Sequence, residues 1–288
     1  MVNNTVFERI QKQITNFKLS KLIIYIVLSV WASTTILPLL WIFNNSFKAS
    51  NEIINKPFAI AGKFNPVNYL NALTKVDMGR SYMNSFIMSG SVVVLVMLFG
   101  GMAAYAISRF EFRGRTIIQG ALAIGLLIPG FVTVVPVYEI LIKLHLVDTY
   151  FALIFPQTAG NLVFATLVLS AYMASLPKEL EEAAILDGCN RWQIFSKIIV
   201  PMSKPAFATV GIFSFLWSYN DLFSSLVFVS SKKVRPICVL LNEVSSQYGT
   251  DYGLQATAVV LTVVPVLIVY LILQRQIVSG LTAGAVKG

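Results

Sequence analysis

Six stretches of about 20 mainly apolar residues recur along this chain, separated by segments that hold most of its charge. A hydrocarbon core about 30 Å thick needs a helix of about 20 such residues to cross it. Lipid offers the backbone no hydrogen-bond partner, so each run reads as a helix that satisfies itself. The candidate spans are Leu22 to Ile42, Ser85 to Ile107, Ile117 to Ile142, Phe151 to Met173, Ala206 to Val229 and Leu254 to Leu273. Composition agrees, with 56% hydrophobic and 12% charged residues against about 25% charged for a soluble domain. The expected fold class is all-α: one polytopic membrane domain over residues 1–288 with six transmembrane helices. Arg9, Lys12, Lys18 and Lys21 precede the first run as in a signal peptide, but the run is too long and lacks a clear cleavage site. It reads as a retained span.

The formal charge of +9 lies in the loops and tails beside the spans, the pattern of a membrane protein, and no nucleic-acid partner is expected. Alternate segments, starting from the N-terminus, carry 13 of the 22 Lys and Arg against 9 in the others. That excess places both termini in the cytoplasm, with tails 1–21 and 274–288 and loop 175–205 on the same side and loop 43–84 outside. Loop 43–84 is long enough to have a function of its own. Cys189 and Cys238 then lie on opposite sides, so no disulfide is expected. His145 reads as a solvated or headgroup-level side chain. No metal-ligand spacing is present, and Gly62-Lys63 is followed by Phe64 without the earlier glycine of a phosphate loop. If ATP drives this protein, another chain binds it. No paired acid and base or activated nucleophile is found, so no enzymatic chemistry is expected.

Residues 181–206, EEAAILDGCNRWQIFSKIIVPMSKPA, are charged and interrupted by a glycine. Pro177 suits a first helical turn, and Glu179, Glu181 and Glu182 place negative charge at the positive helix end, so a helix is expected from near Leu176. Gly188 can end it in the left-handed conformation, and Asn190 can cap a second helix running toward Pro201. The small pair Ala183 and Ala184 allows close approach by another chain. Trp192, Ile194, Phe195 and Ile198 give the second helix an apolar stripe suited to the interface or neighbouring spans. Two readings stand at this point, a docking surface and an amphipathic connector.

Polar residues inside a span are costly unless they face a cavity or a partner. In the fifth span Ser214, Trp217, Asn220, Asp221, Ser224 and Ser225 recur every three or four residues and are expected on one helical face. Gln157 and Asn161 share a face of the fourth span. An aromatic plate beside hydroxyls, amides and a carboxylate suits a sugar, while small polar residues also join helices in membranes. Both readings remain open. Gly125, Pro129, Gly130 and Pro136 are expected to kink the third span, and Glu139 near its end reaches headgroup level.

The pattern Glu182-Ala183-Ala184, Gly188, Ile198 and Pro201 resembles the loop motif of the membrane subunits of bacterial ABC importers. Val200 stands where that family usually has Leu. The segments AAYAISRFEFRGR (103–115), LIPGFVTVVPVYEI (127–140), LVDTYFALIFPQTAG (146–160) and GLTAGAVKG (280–288) extend the likeness to the smaller permease subunit of maltose-type carbohydrate importers. The resemblance implies a bacterial cell-membrane permease that forms a path for a di- or oligosaccharide, with trans-acting ATP and Mg on other subunits and no cofactor of its own. It implies as partners a second homologous permease, two ABC ATPase subunits and an extracytoplasmic sugar-binding protein, all in membrane lipid. Glu182, Ala183, Ala184, Asp187, Gly188, Arg191 and Pro201 are the expected ATPase contact, and the tail 280–288 is expected to reach the ATPase dimer. Trp217, Asn220, Asp221, Ser224, Gln157 and Asn161 are the expected substrate path. The rival is an ion-coupled carrier working through Asp221 and Glu139.

Overall fold

The computed structural model describes residues 3–62, 66–247 and 251–285, and among these the secondary structure is helical, without strands. The helices in chain order are α1 (Asn3–Asn45), α2 (Ser50–Asn55), α3 (Val67–Lys75), α4 (Met78–Arg109), α5 (Arg115–Gly125), α6 (Val134–Lys143) and α7 (Phe151–Ala174). They continue as α8 (Glu179–Leu186), α9 (Arg191–Ile194), α10 (Val200–Met202), α11 (Lys204–Tyr219), α12 (Leu222–Phe228), α13 (Ile237–Gln247) and α14 (Tyr252–Ala285). Four segments are long and apolar enough to cross a membrane: Leu19–Asn45, Met78–Arg109, Phe151–Ala174 and Tyr252–Leu271. Two bent pairs, α5 with Gly130–Lys143 at 98° and Arg191–Met202 with α11 at 79°, raise the number to six if each is one span.

Two of the expected spans are not continuous helices. The run Ile117 to Ile142 breaks after Gly125, and Pro129 is extended (φ −63°, ψ 130°) before a 3-10 turn at Gly130–Thr133. Proline lacks the N–H that would continue the ladder and forces Ile128 away from helical angles. The run Ala206 to Val229 breaks at Asn220 and Asp221. Asp221 sits at φ −73°, ψ 85°, and its carboxylate accepts the Ser224 N–H at 3.2 Å as the N-cap of α12. The polar row consequently does not share one face. Ser214 and Ser225 are buried while Trp217 is 47% exposed, and the Asn220 amide turns back to the Leu216 carbonyl at 2.8 Å.

The chain divides into two compact units, Met1–Leu70 with Tyr248–Val260 and Asn71–Gln247 with Leu261–Gly288. In the first, the apolar side chains of α1 from Leu22 to Leu40 are exposed, Trp31 among them. A helix apolar on every side is one that lipid solvates. Within loop 43–84, residues 46–48 and 68–69 are tied to one another. The Asn68 amide donates to the carbonyls of Ser46 and Lys48, each at 2.9 Å, and Phe47 stacks on Tyr69. A Cβ at Gly253 would lie 2.5 Å from the Lys48 carbonyl oxygen, so glycine is required where these backbones meet.

The core of the second unit is α4 packed along α7, with α11 across both. A Cβ on Gly100 would stand 3.0 Å from the Ala165 methyl, and one on Gly101 would stand 2.8 Å from the Phe207 ring. These small residues let the backbones close up, which is how helices gain dispersion contacts in a membrane. Val92, Val96, Ala165, Leu169, Phe207 and Val210 fill the seam. That seam fixes the positions of α7 and α11, which carry the polar cavity, relative to α4, whose end seats the charged hairpin.

Candidate functional site

The hairpin of residues 179–202 has a buried underside and an exposed crest. Its first helix begins at Glu179, three residues later than expected, with Glu179, Glu181 and Glu182 in the first turn. Glu181 points inward. Its Oε1 pairs with Arg109 Nε at 2.6 Å, with both side chains at or below 10% exposure. Arg109 also donates through Nη2 to the Leu176 carbonyl at 3.0 Å, and the Tyr105 hydroxyl donates to Glu181 Oε2 at 3.3 Å. Ala184 is buried as well, within the core of Ile194, Phe195 and Ile199. It cannot be part of an outward contact surface, which corrects the expectation for the Ala183-Ala184 pair. At helical spacing, two adjacent alanines point in different directions, and one of them had to face the chain.

The turn is as expected from the sequence. Gly188 has φ +80° with open space around it. Asn190 and Gln193 form a reciprocal capping box at 2.9 and 2.8 Å. Residues Phe195–Ile199 widen into a π-helical turn ahead of Pro201. The proline has no N–H for the Lys197 carbonyl, and its ring would crowd that oxygen, so a wider turn relieves both. Ile194 and Phe195 of the expected stripe are buried, Ile199 is buried in place of the half-buried Ile198, and Trp192 is exposed. The Arg191 guanidinium lies 5.4 Å from the Phe110 ring centroid, a cation–π contact that ties the second helix to the end of α4. Glu182, Ala183, Asp187, Gly188, Arg191 and Pro201 are exposed. Leu186 at 88% and Ile185 at 45% exposure join them as apolar knobs that the sequence reading did not single out.

The second site is a cavity of about 400 Å³ between the start of α6, α7 and the α11–α12 break. Gln157, Asn161, Trp217, Ser218, Asp221 and Ser224 line it together with Thr133 and apolar neighbours. The Gln157 amide donates to Asp221 Oδ2 at 2.9 Å, and Ser218 donates to Gln157 Oε1 at 2.6 Å. The Asn161 amide donates to the Gln157 carbonyl at 2.7 Å. Trp217 meets Phe164 edge to face at 4.9 Å, which leaves part of the indole toward the cavity. Of the expected path residues, five converge here, while Asn220 is absent from the lining. Ser218, not among the residues expected for the path, joins them one helical turn before the break, next to Trp217. Glu139 is exposed and does not line the cavity. Another cleft of about 380 Å³, bounded by Phe86, Val93, Met97, Phe207, Phe215 and Tyr270, presents hydrocarbon to its contents and offers a sugar almost nothing to hydrogen-bond.

The family model for the binding-protein-dependent transport system inner membrane component matches residues 96–282, which include both sites. A diacetylchitobiose uptake system permease protein of Streptomyces coelicolor is 36% identical over 263 residues, 91% of this chain and 87% of that protein. An arabinooligosaccharides transport system permease protein of Halalkalibacterium halodurans is 32% identical over 89% of this chain and 93% of that protein. In fold, the chain is similar to a solved bacterial ABC transporter involved in the import of the acidic polysaccharide alginate. The TM-score is 0.77 over 90% of this chain and 96% of that one, at 23% identity. Broken spans, a capped hairpin seated on α4 and a polar cavity beside them are thus features of a multi-pass membrane protein that belongs to the family of binding-protein-dependent transport system inner membrane components.

Proposed function

We propose that this chain is the permease subunit of an ABC importer and forms one wall of the path taken by a carbohydrate, a di- or oligosaccharide. The observation that carries the reading is the hairpin: its underside is ion-paired and packed on α4, while its crest presents Glu182, Ala183, Asp187, Gly188 and Arg191 beside the bare apolar knobs Ile185 and Leu186. Apolar knobs inside a charged rim fit a protein cleft better than solvent. The partner is an ABC ATPase dimer, which binds ATP and Mg and hydrolyses the nucleotide, while this chain performs no chemistry. The hairpin and both termini face the cytoplasm, a second homologous permease completes the path, and an extracytoplasmic sugar-binding protein delivers the cargo.

Closure of the ATPases displaces the crest, and the Arg109–Glu181 pair passes that displacement to α4. Because α4 is packed on α7 and α11, movement there shifts Gln157, Asn161 and Ser218 in the cavity wall. Carbohydrate is supported by the cargoes named for the relatives, diacetylchitobiose and arabinooligosaccharides. An indole beside amides and a carboxylate also suits the C–H faces and hydroxyls of a sugar ring. The carrier alternative is weakened because Glu139 lies apart from the cavity that holds Asp221.

The test is Glu182→Lys, which reverses a charge on the crest and leaves Glu181 in place. The variant should insert and pair with the second permease but release the ATPase during purification. Uptake into vesicles by the unaltered importer should require ATP and survive collapse of ion gradients. Full ATPase retention and full uptake by Glu182→Lys would overturn the docking assignment, and uptake that follows the ion gradient would overturn the importer.

A further inference from the structure

The hydrogen bonds of the polar cavity fix which of its groups remain to meet a cargo. Gln157 must turn its amide nitrogen to Asp221, since a carboxylate only accepts, and its oxygen then takes the Ser218 hydroxyl. Asn161 must turn its nitrogen to the Gln157 backbone carbonyl, which also only accepts. Both amide orientations are therefore set by their partners. Asn161 is 8% exposed, and its Oδ1 is left without a donor. Asp221 takes the Ser224 N–H and the Gln157 amide, two donors for a carboxylate that has room for about four. Among the described residues lining the cavity, Asp221 is the one ionisable side chain, and no Lys, Arg or His stands there to offset it.

We infer that this wall of the path selects its cargo by charge, accepting neutral or amine-bearing saccharides and rejecting saccharides that carry carboxylates or sulfonates. The inference rests on the proposed role as a sugar permease and narrows its substrate class. Spare acceptors and one negative charge attract hydroxyl, amide N–H and ammonium donors. An anionic sugar would bring like charge against the half-buried Asp221, and such juxtaposition is costly. The hydroxyl-rich face of a neutral sugar supplies the donors that Asn161 Oδ1 and Asp221 lack.

The experiment measures the field in the cavity without knowing the natural cargo. Ala159→Cys, on the exposed lining, is made in a Cys189→Ala/Cys238→Ala background and assembled with the partner permease, ATPases and binding protein in lipid nanodiscs. Its rates of reaction with trimethylammonioethyl and sulfonatoethyl methanethiosulfonate are compared with those of a free thiol. The cation-to-anion ratio should exceed the free-thiol ratio by about tenfold or more, as a focused negative field requires. Asp221→Asn, which keeps a good helix cap, should remove most of that excess. A ratio equal to that of the free thiol overturns the inference, and so does protection of the cysteine by an oligouronate. The parent ratio decides even where Asp221→Asn fails to assemble. Loss of ATPase on purification of the parent would count against the importer reading instead and leaves the charge ratio legible.

Discussion

Glu181 and Glu182 are adjacent acids with opposite surroundings: the first is buried against Arg109 and Tyr105, the second is exposed. Their sequence context is nearly the same, since both fall in a first helical turn where negative charge is favoured. What separates them is the Arg109 side chain, far along the chain on another helix, and a single sequence does not reveal that pairing. Truncating one partner of a buried pair leaves a charge with neither water nor counterion and costs about 3–5 kcal/mol. Arg109→Ala should therefore unseat α8 while the spans persist. Amide hydrogen exchange across residues 179–194 should quicken by about a hundredfold, the factor corresponding to a loss of about 3 kcal/mol. Replacing both partners by methionine should restore much of the protection, because a well-packed apolar pair avoids the uncompensated charge. Unchanged exchange in Arg109→Ala would mean that apolar packing alone holds the hairpin.

At the scale of elements, the features written in local sequence were legible and those set by distant contacts were not. Gly188 and Asn190 announced the end of one helix and the start of the next, and both appear at those positions with φ +80° and a capping box. The break in the fifth run was missed although its signal was present. Asp221 followed three residues later by Ser224 is an N-cap pattern, yet the apolar run on both sides read as one span because hydropathy does not register a two-residue interruption. The expected polar face was lost with it, since the break reorients Ser224 and Ser225 relative to Trp217. Five of the six proposed path residues still converge, as spacing on α7 was right for Gln157 and Asn161 and the break brings Asp221 to Gln157. Gly188 offers the sharper test of an element. A Cβ there meets no neighbour, so any penalty comes from the positive φ alone. Gly188→Asn should be nearly silent because asparagine tolerates the left-handed region, whereas Gly188→Val should cost roughly 1–3 kcal/mol and alter the angle between α8 and α9. Measured as uptake per ATP hydrolysed, Asn should keep coupling and Val should lose at least several-fold. Equal coupling in the two variants would show that the turn angle is not transmitted.

For the whole molecule, the long apolar runs made the membrane fold legible, and the excess of Lys and Arg in alternate segments is the basis of the proposed sidedness. The two free cysteines, Cys189 in the hairpin turn and Cys238 at the start of α13, test that assignment without any engineered residue. Their chemistry differs. Burial pushes the Cys238 thiol up to about 11, with a hydrogen bond from Ser225 partly opposing it and the Asp221 charge adding to it. The thiol itself donates to the Asp221 carbonyl at 3.5 Å. A raised pKa favours the neutral thiol, so the reactive thiolate is scarce at neutral pH and grows about tenfold with each pH unit until the pKa is reached. With an impermeant methanethiosulfonate added to intact protoplasts, Cys238 should react slowly near pH 7 and keep accelerating past pH 9, where an ordinary thiol with a pKa of about 8.5 would level off. Cys189 should remain unmodified from outside at every pH and react once the membrane is permeabilised. Labelling of Cys189 in intact protoplasts would reverse the topology and place the hairpin beyond reach of any cytoplasmic ATPase, whereas a plateau for Cys238 near pH 9 would show that its thiol is not held in the buried setting beside Asp221.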